Sequence, residues 1–214
     1  MEKRNRRILM SVLGVLVCGI SVGFFKRAAF GVDPYQTMMS GLDRMIPIGF
    51  GTLYVIVSAV LLLFSLVADR HYLGLATVIN MTVFGYVAQY TLELLTRALP
   101  DLQVGGRLLL LLIGIVTMCF ASAFYFTADL GVSVYDAIAL IVSKTWKIGQ
   151  FKYCRIISDL VCIAIGSILH FMAGGDWISL TQVVGIGTVI TAFFMGPLID
   201  FFNVHAAQPF LERN

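Results

Sequence analysis

Two five-residue segments, one hundred positions apart, hold the residue types best suited to binding a solute. Gly31-Val32-Asp33-Pro34-Tyr35 returns as Gly131-Val132-Ser133-Val134-Tyr135. In each, the glycine can end the preceding helix in a left-handed conformation. Asp33 or Ser133 can then cap the next helix, because a side-chain oxygen accepts from N–H groups that have no partner at a helix start. Pro34 suits the first helical position, where a missing N–H costs nothing. The motif thus encodes a helix break and a restart, and a restart presents free N–H groups and partial positive charge. Asp33, Tyr35, Ser133 and Tyr135 are therefore candidate substrate-binding residues.

Asp159, with Ser158 beside it, falls about a third of the way into a long apolar stretch. An ionisable group inside a bilayer is costly and is read by default as functional, here as an ion-coupling site. The structural alternative is a pair with Arg155 one turn earlier, snorkelling toward the inner surface. Alanine, Ala59, stands one hundred positions before Asp159. Two further apolar stretches have a polar side: Thr77, Asn80, Thr82 and Gln89 in one, Thr188, Thr191 and Asp200 in the other. Asn80 aligns with Thr191. The pair either bonds between helices or lines a substrate cavity; both join the candidate set.

Bond-making chemistry finds little support. There is no HExxH and no nucleophile elbow. His71, His170 and His205 are scattered, and Cys18, Cys119, Cys154 and Cys162 form no CxxC. The cysteines read as small buried apolar side chains. No enzyme, cofactor or metal site is expected.

The elements that position these residues are membrane helices. Of 214 residues, 59% are hydrophobic and 13% charged, against roughly 25% charged in a soluble domain. A net charge of +3 is too weak for nucleic acid. About 20 apolar residues cross a bilayer. Six segments qualify: Ile8–Phe25, Gly51–Ala68, Tyr72–Leu95, Arg107–Phe126, Phe151–Phe171 and Ile178–Phe202. Lys26 and Arg27 follow the first where a cleavage site would need small residues, so it reads as an uncleaved span. The tail from Asn203 reads as polar and frayed.

An internal repeat organises these spans. At offset 100, Ile48-Gly49 matches Ile148-Gly149 and Gly14 matches Gly114; at offset 111, Gly74–Ile79 matches Gly185–Ile190. The second copy holds about eleven extra residues around His170–Leu180, expected in a loop. Repeat one covers about 8–100 and repeat two about 107–203, in a single membrane domain. Each unit reads as span, short helix, span, span. The short helices, Pro34–Ile46 and Val134–Trp146, reach only about 20 Å at 1.5 Å per residue. Three crossings per unit invert the second copy, as in many transporters. In the first short helix Tyr35, Met38, Met39, Leu42, Met45 and Ile46 share a face that Gln36 and Asp43 avoid; in the second Tyr135, Ile138, Val142 and Trp146 oppose Asp136 and Ser143. These helices either lie in the membrane interface or re-enter the bundle beside a polar cavity. Ten of the fifteen Lys and Arg fall inside if the N-terminus is cytoplasmic, so both termini are expected there. Gly19-x-x-x-Gly23 permits close helix approach, with Cys119 and Ala123 as its counterparts.

The same residues carry a resemblance. Gly31–Tyr35, Ile48-Gly49, Gly185-Ile186-Gly187-Thr188 and Gly196-Pro197-Leu198-Ile199-Asp200 resemble segments of the bacterial YczE/YyaS/YitT-type membrane proteins, closest to the YczE-like branch. Asp33 departs from that family's usual serine, and Gln89 from a frequent acidic residue. The resemblance implies an inner-membrane protein with suggested transport or regulatory roles. The expected fold is an all-α polytopic bundle of about six transmembrane helices plus two short ones, in inverted repeats. The expected function is a permease for a small solute, with the lipid bilayer as its surroundings; the alternative is a membrane protein that binds or regulates a partner. Oligomeric state stays open.

Overall fold

The computed structural model describes residues 3–212, the side chain of Lys152 excepted. Within them the chain is helix and turn, with no strand. Arg213, counted among the inner positive charges, lies outside the described residues, as does the Lys152 side chain.

Helices α1 (Lys3–Ala28), α3 (Phe50–Ala68), α6 (Val104–Ala128) and α8 (Phe151–Met172) fall on four of the expected spans. They, together with the run Trp177–Glu212, make five helices long and apolar enough to cross a membrane. The expected third span is not one α-helix. It is α4 (Leu75–Ile79), a π turn over Asn80–Phe84, and α5 (Gly85–Ala98). The sixth is α9 (Trp177–Val183) and α10 (Ile186–Phe202), broken at Gly185. The short helices are α2 (Pro34–Met45) and α7 (Val134–Leu140), the latter continued by a π turn over Ile141–Thr145.

Two expectations are corrected. The extra residues of the second half are not a loop: α8 runs to Met172, and Asp176 caps α9 by accepting from the Ser179 N–H at 3.0 Å. The tail is not frayed. It forms a π turn, Asn203–Ala207, and α11 (Gln208–Glu212), which buries Ala207 and sets Phe210 against Phe124. Phe210 also helps line an apolar groove of about 350 Å³ between α1 and α6.

The centre of the packing is the α1–α6 pair. The two run antiparallel. Arg107, near the start of α6, donates to the carbonyls of Ala28 and Ala29 at the end of α1, both at 2.7 Å. At the other end Arg7 lies 3.9 Å from Asp129. Between them Ser21 donates to Thr117 at 2.9 Å. Small residues let such helices close in where lipid offers no hydrophobic drive. Gly19 and Gly23 serve another contact, however: they lie against Val87 and Thr91 of α5, so the glycine stripe is used within the chain.

The short helices pack across the halves: α2 lies on α8 and α7 on α3. The α2–α8 approach is backbone on backbone, because a Cβ at Gly41 would stand 2.6 Å from the Gly166 carbonyl oxygen.

The turns are exchanged in the same crossed sense. Gly31 N–H donates to Gln182 and Val32 N–H to Val183, each at 3.0 Å, while Phe30 accepts from Gly187 N–H at 2.8 Å. In the other direction Val132 N–H donates to Tyr72 at 3.1 Å and Leu130 accepts from Ala76 N–H at 2.9 Å. The Val32 and Phe30 bonds correspond to the Val132 and Leu130 bonds through the offsets of 100 and 111. The left-handed helix ends are Ala29 and Asp129, two residues before the expected glycines; Gly31 and Gly131 hold positive φ of 104° and 99° in the turn itself.

Helix α3 has no side-chain cap of its own. Gln89 of α5 supplies one, accepting from Gly51 N–H at 2.9 Å. Gln89→Ala is expected to cost about 1 kcal/mol, the value of an N-cap, read as a lowered Tm of the purified protein.

Candidate functional site

Both motif caps form as their residue types require. Asp33 Oδ1 accepts from Gln36 N–H at 3.1 Å, and Ser133 Oγ from Asp136 N–H at 3.1 Å. Each cap starts a helix whose next aromatic residue points to the middle of the molecule. There the rings of Tyr35 and Tyr135 stack, centroids 4.7 Å apart and planes 17° apart.

Around this pair the halves differ. On the second half's side Tyr135 donates to Asp159 Oδ1 at 2.6 Å. The Arg155 guanidinium lies 4.5 Å from the Tyr135 ring centre, bonds Asp136, and sits 3.4 Å from Asp159. Ser133 Oγ donates to the second Asp136 oxygen at 2.7 Å. On the first half's side Tyr54 meets the Tyr35 ring edge-on at 5.8 Å and donates to Asn80 Oδ1 at 3.0 Å. Gln36 Oε1 is buried without a hydrogen-bond partner among the described residues, and the buried Tyr35 and Ser58 hydroxyls lie against each other.

Helix α3 starts at Phe50 and α8 at Phe151, an offset of 101. In that register Asp159 faces Ser58, and not Ala59. Arg155 then stands where the first half has Tyr54, and at offset 100 Asp136 where it has Gln36. One half has the charged set Asp136, Arg155, Asp159; the other has the neutral set Gln36, Tyr54, Ser58.

Of the expected site residues, the structure gathers Asp33, Tyr35, Asn80, Ser133, Tyr135 and Asp159. Asn80 opens the π turn of Asn80–Phe84, and such turns recur at functional sites. Thr191 is buried but donates back to Thr188 at 3.0 Å in its own helix, with no bond to the cluster. Asp159 pairs with Arg155 as the structural alternative held, yet the carboxylate does not snorkel: it is 6% exposed. From sequence, Gln36, Tyr54, Ser58 and Asp136 carry no site role, and Arg155 enters only as the structural partner of Asp159. The expected helix faces hid them. Gln36 is 2% exposed and Ser143 is buried, while Met45, Ile46 and Trp146 are exposed. The first turn of α2 is buried all round and that of α7 leaves only Asp136 partly exposed, and a one-sided pattern cannot describe that. A 101 register over α3 and α8 was the available signal.

Outside the helices, Asp69 follows the end of α3. Its carboxylate accepts from Thr145 at 2.6 Å and from His71 N–H at 2.9 Å. These bonds, Thr145 first, hold its pKa below the ordinary carboxylate value. A lowered folded pKa adds stability that is complete above about pH 4–5 and lost as pH falls through the folded value. The protection factors of the amides over 141–145, exchange rates corrected for intrinsic pH dependence, should therefore fall in acid in the wild type, and be already low and acid-independent in Asp69→Ala.

A polar depression of about 480 Å³, lined among others by Arg27, Asp101, Arg107 and Gln182, adjoins the Gly31 turn that leads to Asp33.

Comparison with known proteins follows this geometry along the chain. Residues 5–204 match the profile of a family of unknown function, DUF6198. The chain belongs to the DUF6198 family. The match takes in both Gly-Val turns and every residue of the tyrosine cluster. Among relatives, an uncharacterized protein of Haemophilus influenzae is 28% identical over 205 residues, covering 94% of this chain and 85% of its own. The uncharacterized protein YyaS of Bacillus subtilis is 21% identical over 202 residues, covering 94% of both. The YyaS likeness agrees with the resemblance read from the motifs. No solved structure matches the chain. Within DUF6198 neither relative's name states an activity, so function rests on the cluster itself.

Proposed function

We propose that this DUF6198 protein is a bacterial inner-membrane permease for a small solute, built from two inverted repeats of three crossings each. The observation that carries the reading is the Tyr35–Tyr135 stack: two residues related by the repeat meet at the centre of the bundle. An axis through that stack relates the antiparallel α1 and α6 and the crossed turns. Transporters of this construction bind near such an axis, at broken helices, and rock one repeat against the other. The short helices α2 and α7 are the broken elements, buried at their starts and so re-entrant. The run 75–98 supplies the sixth crossing. The depression beside Gly31 is the route in from one face, and the stacked tyrosines are the closed gate. The repeats form one domain, and both termini are cytoplasmic. The burial of α2 disfavours the alternative, in which the short helices would offer a surface to a partner.

The test is uptake by the purified protein in proteoliposomes, with solutes first screened by thermal stabilisation. Asp33→Ala and Asn80→Ala are each expected to lower uptake at least about tenfold, the effect of 1.4 kcal/mol on the site. Uptake undiminished in both overturns the site. Labelling of Tyr35→Cys and Tyr135→Cys by a hydrophilic thiol reagent should be slow and relieved by turnover; fast labelling at headgroup depth in both overturns the permease.

A further inference from the structure

The two walls of the tyrosine cluster solve one packing problem in two ways. In the second half a cation stands among oxygens: Arg155 lies over the Tyr135 ring, bound to Asp136 and beside Asp159. In the first half the matching positions carry Tyr35, Gln36, Ser58 and, in the place of Arg155, Tyr54. Tyr54 spends its hydroxyl on Asn80. It therefore brings no donor to the oxygens beside it.

Those oxygens are the evidence for a ligand. Gln36 is 2% exposed, Ser58 0% and Tyr35 5%; the Tyr35 and Ser58 hydroxyls lie against each other, and Gln36 Oε1 has no partner among the described residues. A buried polar group without a hydrogen bond costs about 1–3 kcal/mol. The amide oxygen of Gln36 can only accept. Asp33, at the same helix start, adds a carboxylate. Charge leans the same way. Asp33, Asp136 and Asp159 surround the cluster, and among the described residues Arg155 is the one base within it; Lys26 rests on the Phe50 ring. Buried carboxylate in excess of its partners calls for a cation. An aromatic face beside carboxylates favours an organic one.

We propose that the first half's wall binds a cationic group bearing N–H donors, a primary ammonium or a guanidinium, which seats beside Tyr54 among Asp33, Tyr35, Gln36 and Ser58 and supplies the positive charge that Arg155 supplies in the second half. The inference rests on the permease reading for its purpose and names that site's ligand class. It requires N–H donors, so a quaternary ammonium is excluded. It requires positive charge, so carboxylic acids and neutral sugars are excluded.

The test uses the purified full-length protein in detergent, melted in methylammonium, tetramethylammonium or sodium chloride at equal ionic strength. Methylammonium should give a saturable rise in Tm that the other two do not. Asp33→Asn keeps the cap, because an amide oxygen also accepts from Gln36 N–H, but removes the charge. Its half-saturating methylammonium concentration should rise about tenfold or more. Tyr54→Arg should abolish the response by supplying the cation from within; if it does not fold, Asp33→Asn decides. Equal rises with all three salts, or an unshifted midpoint in Asp33→Asn, overturns the proposal. Failure of the permease is separable. Methylammonium binding without uptake of labelled methylammonium into proteoliposomes overturns transport and leaves the site. Uptake of another solute with no ammonium response does the reverse.

Discussion

Arg155→Met should unfold more easily than wild type by roughly 3–5 kcal/mol, the cost of leaving buried charge without its partner. Two carboxylates lean on this one guanidinium: Asp136 bonds it directly, and Asp159 lies 3.4 Å away through the same oxygen that accepts from Tyr135. Removing the cation leaves each with one neutral side-chain donor among the described residues, Tyr135 for Asp159 and Ser133 for Asp136, and no countercharge. Most of the loss should be recovered by removing the acids as well. The first half suggests how, because Gln36, Tyr54 and Ser58 occupy the same positions without charge. The triple variant Asp136→Gln, Arg155→Tyr, Asp159→Ser is expected to recover more than half of that loss, since a buried ionic set can be replaced by a packed neutral one, and to fall short of wild type by about the 1–3 kcal/mol of a buried amide oxygen without a partner. Chemical denaturation of the single and triple variants decides. A triple variant as weak as Arg155→Met would mean that the halves are not equivalent at these positions.

Gly131→Ala is the second large effect, expected to cost roughly 4 kcal/mol or more, in the range reserved for backbone conflict. At φ 99° any L side chain is strained. A Cβ there would also stand 2.7 Å from Gly74 Cα and 2.9 Å from Thr77 Oγ1. The obstacle is backbone, so no rotamer change relieves it. Gly31→Ala should behave alike, its Cβ 2.6 Å from Gly185 N. Gly196→Ala is the control: its Cβ would meet nothing within 4 Å, and alanine favours the helix by up to about 1 kcal/mol. Expression level and Tm in detergent separate the three. A Gly131→Ala protein that melts with wild type would show that the crossed turn is looser than its geometry.

Most of the architecture was legible because membrane helices are written in long apolar runs and caps in single residues. Asp33 and Ser133 cap as their types dictate, and the repeated tyrosines meet. The errors have physical causes. The span from Tyr72 was read as one helix, but a π turn at Asn80 turns that side chain toward Tyr54, and hydropathy does not register a slipped hydrogen bond. The His170–Leu180 insertion was read as a loop because its length, and not its Asp176 cap, was weighed. Gln36 and Asp136 were placed on outward faces, since amphipathic reasoning assumes one side meets solvent. Helices inserted into a bundle have no such side. Thr191 was carried in by symmetry with Asn80, and symmetry failed where Arg155 replaced Tyr54.

The exchanged turns bear on how the chain is made. The amide of Gly31 finds its acceptor on Gln182, 151 positions later. At about 5–20 residues per second, synthesis needs roughly 8–30 s to deliver that carbonyl. Throughout that wait the nascent first half holds buried amides that nothing downstream can yet satisfy, so it must shelter at the insertion machinery or in water. A ribosome stalled before Gln182 should therefore leave a chain that proteases cut at the Gly31 turn. The same amides also give a severed first half a reason to recover its fold when the second is supplied beside it in one membrane.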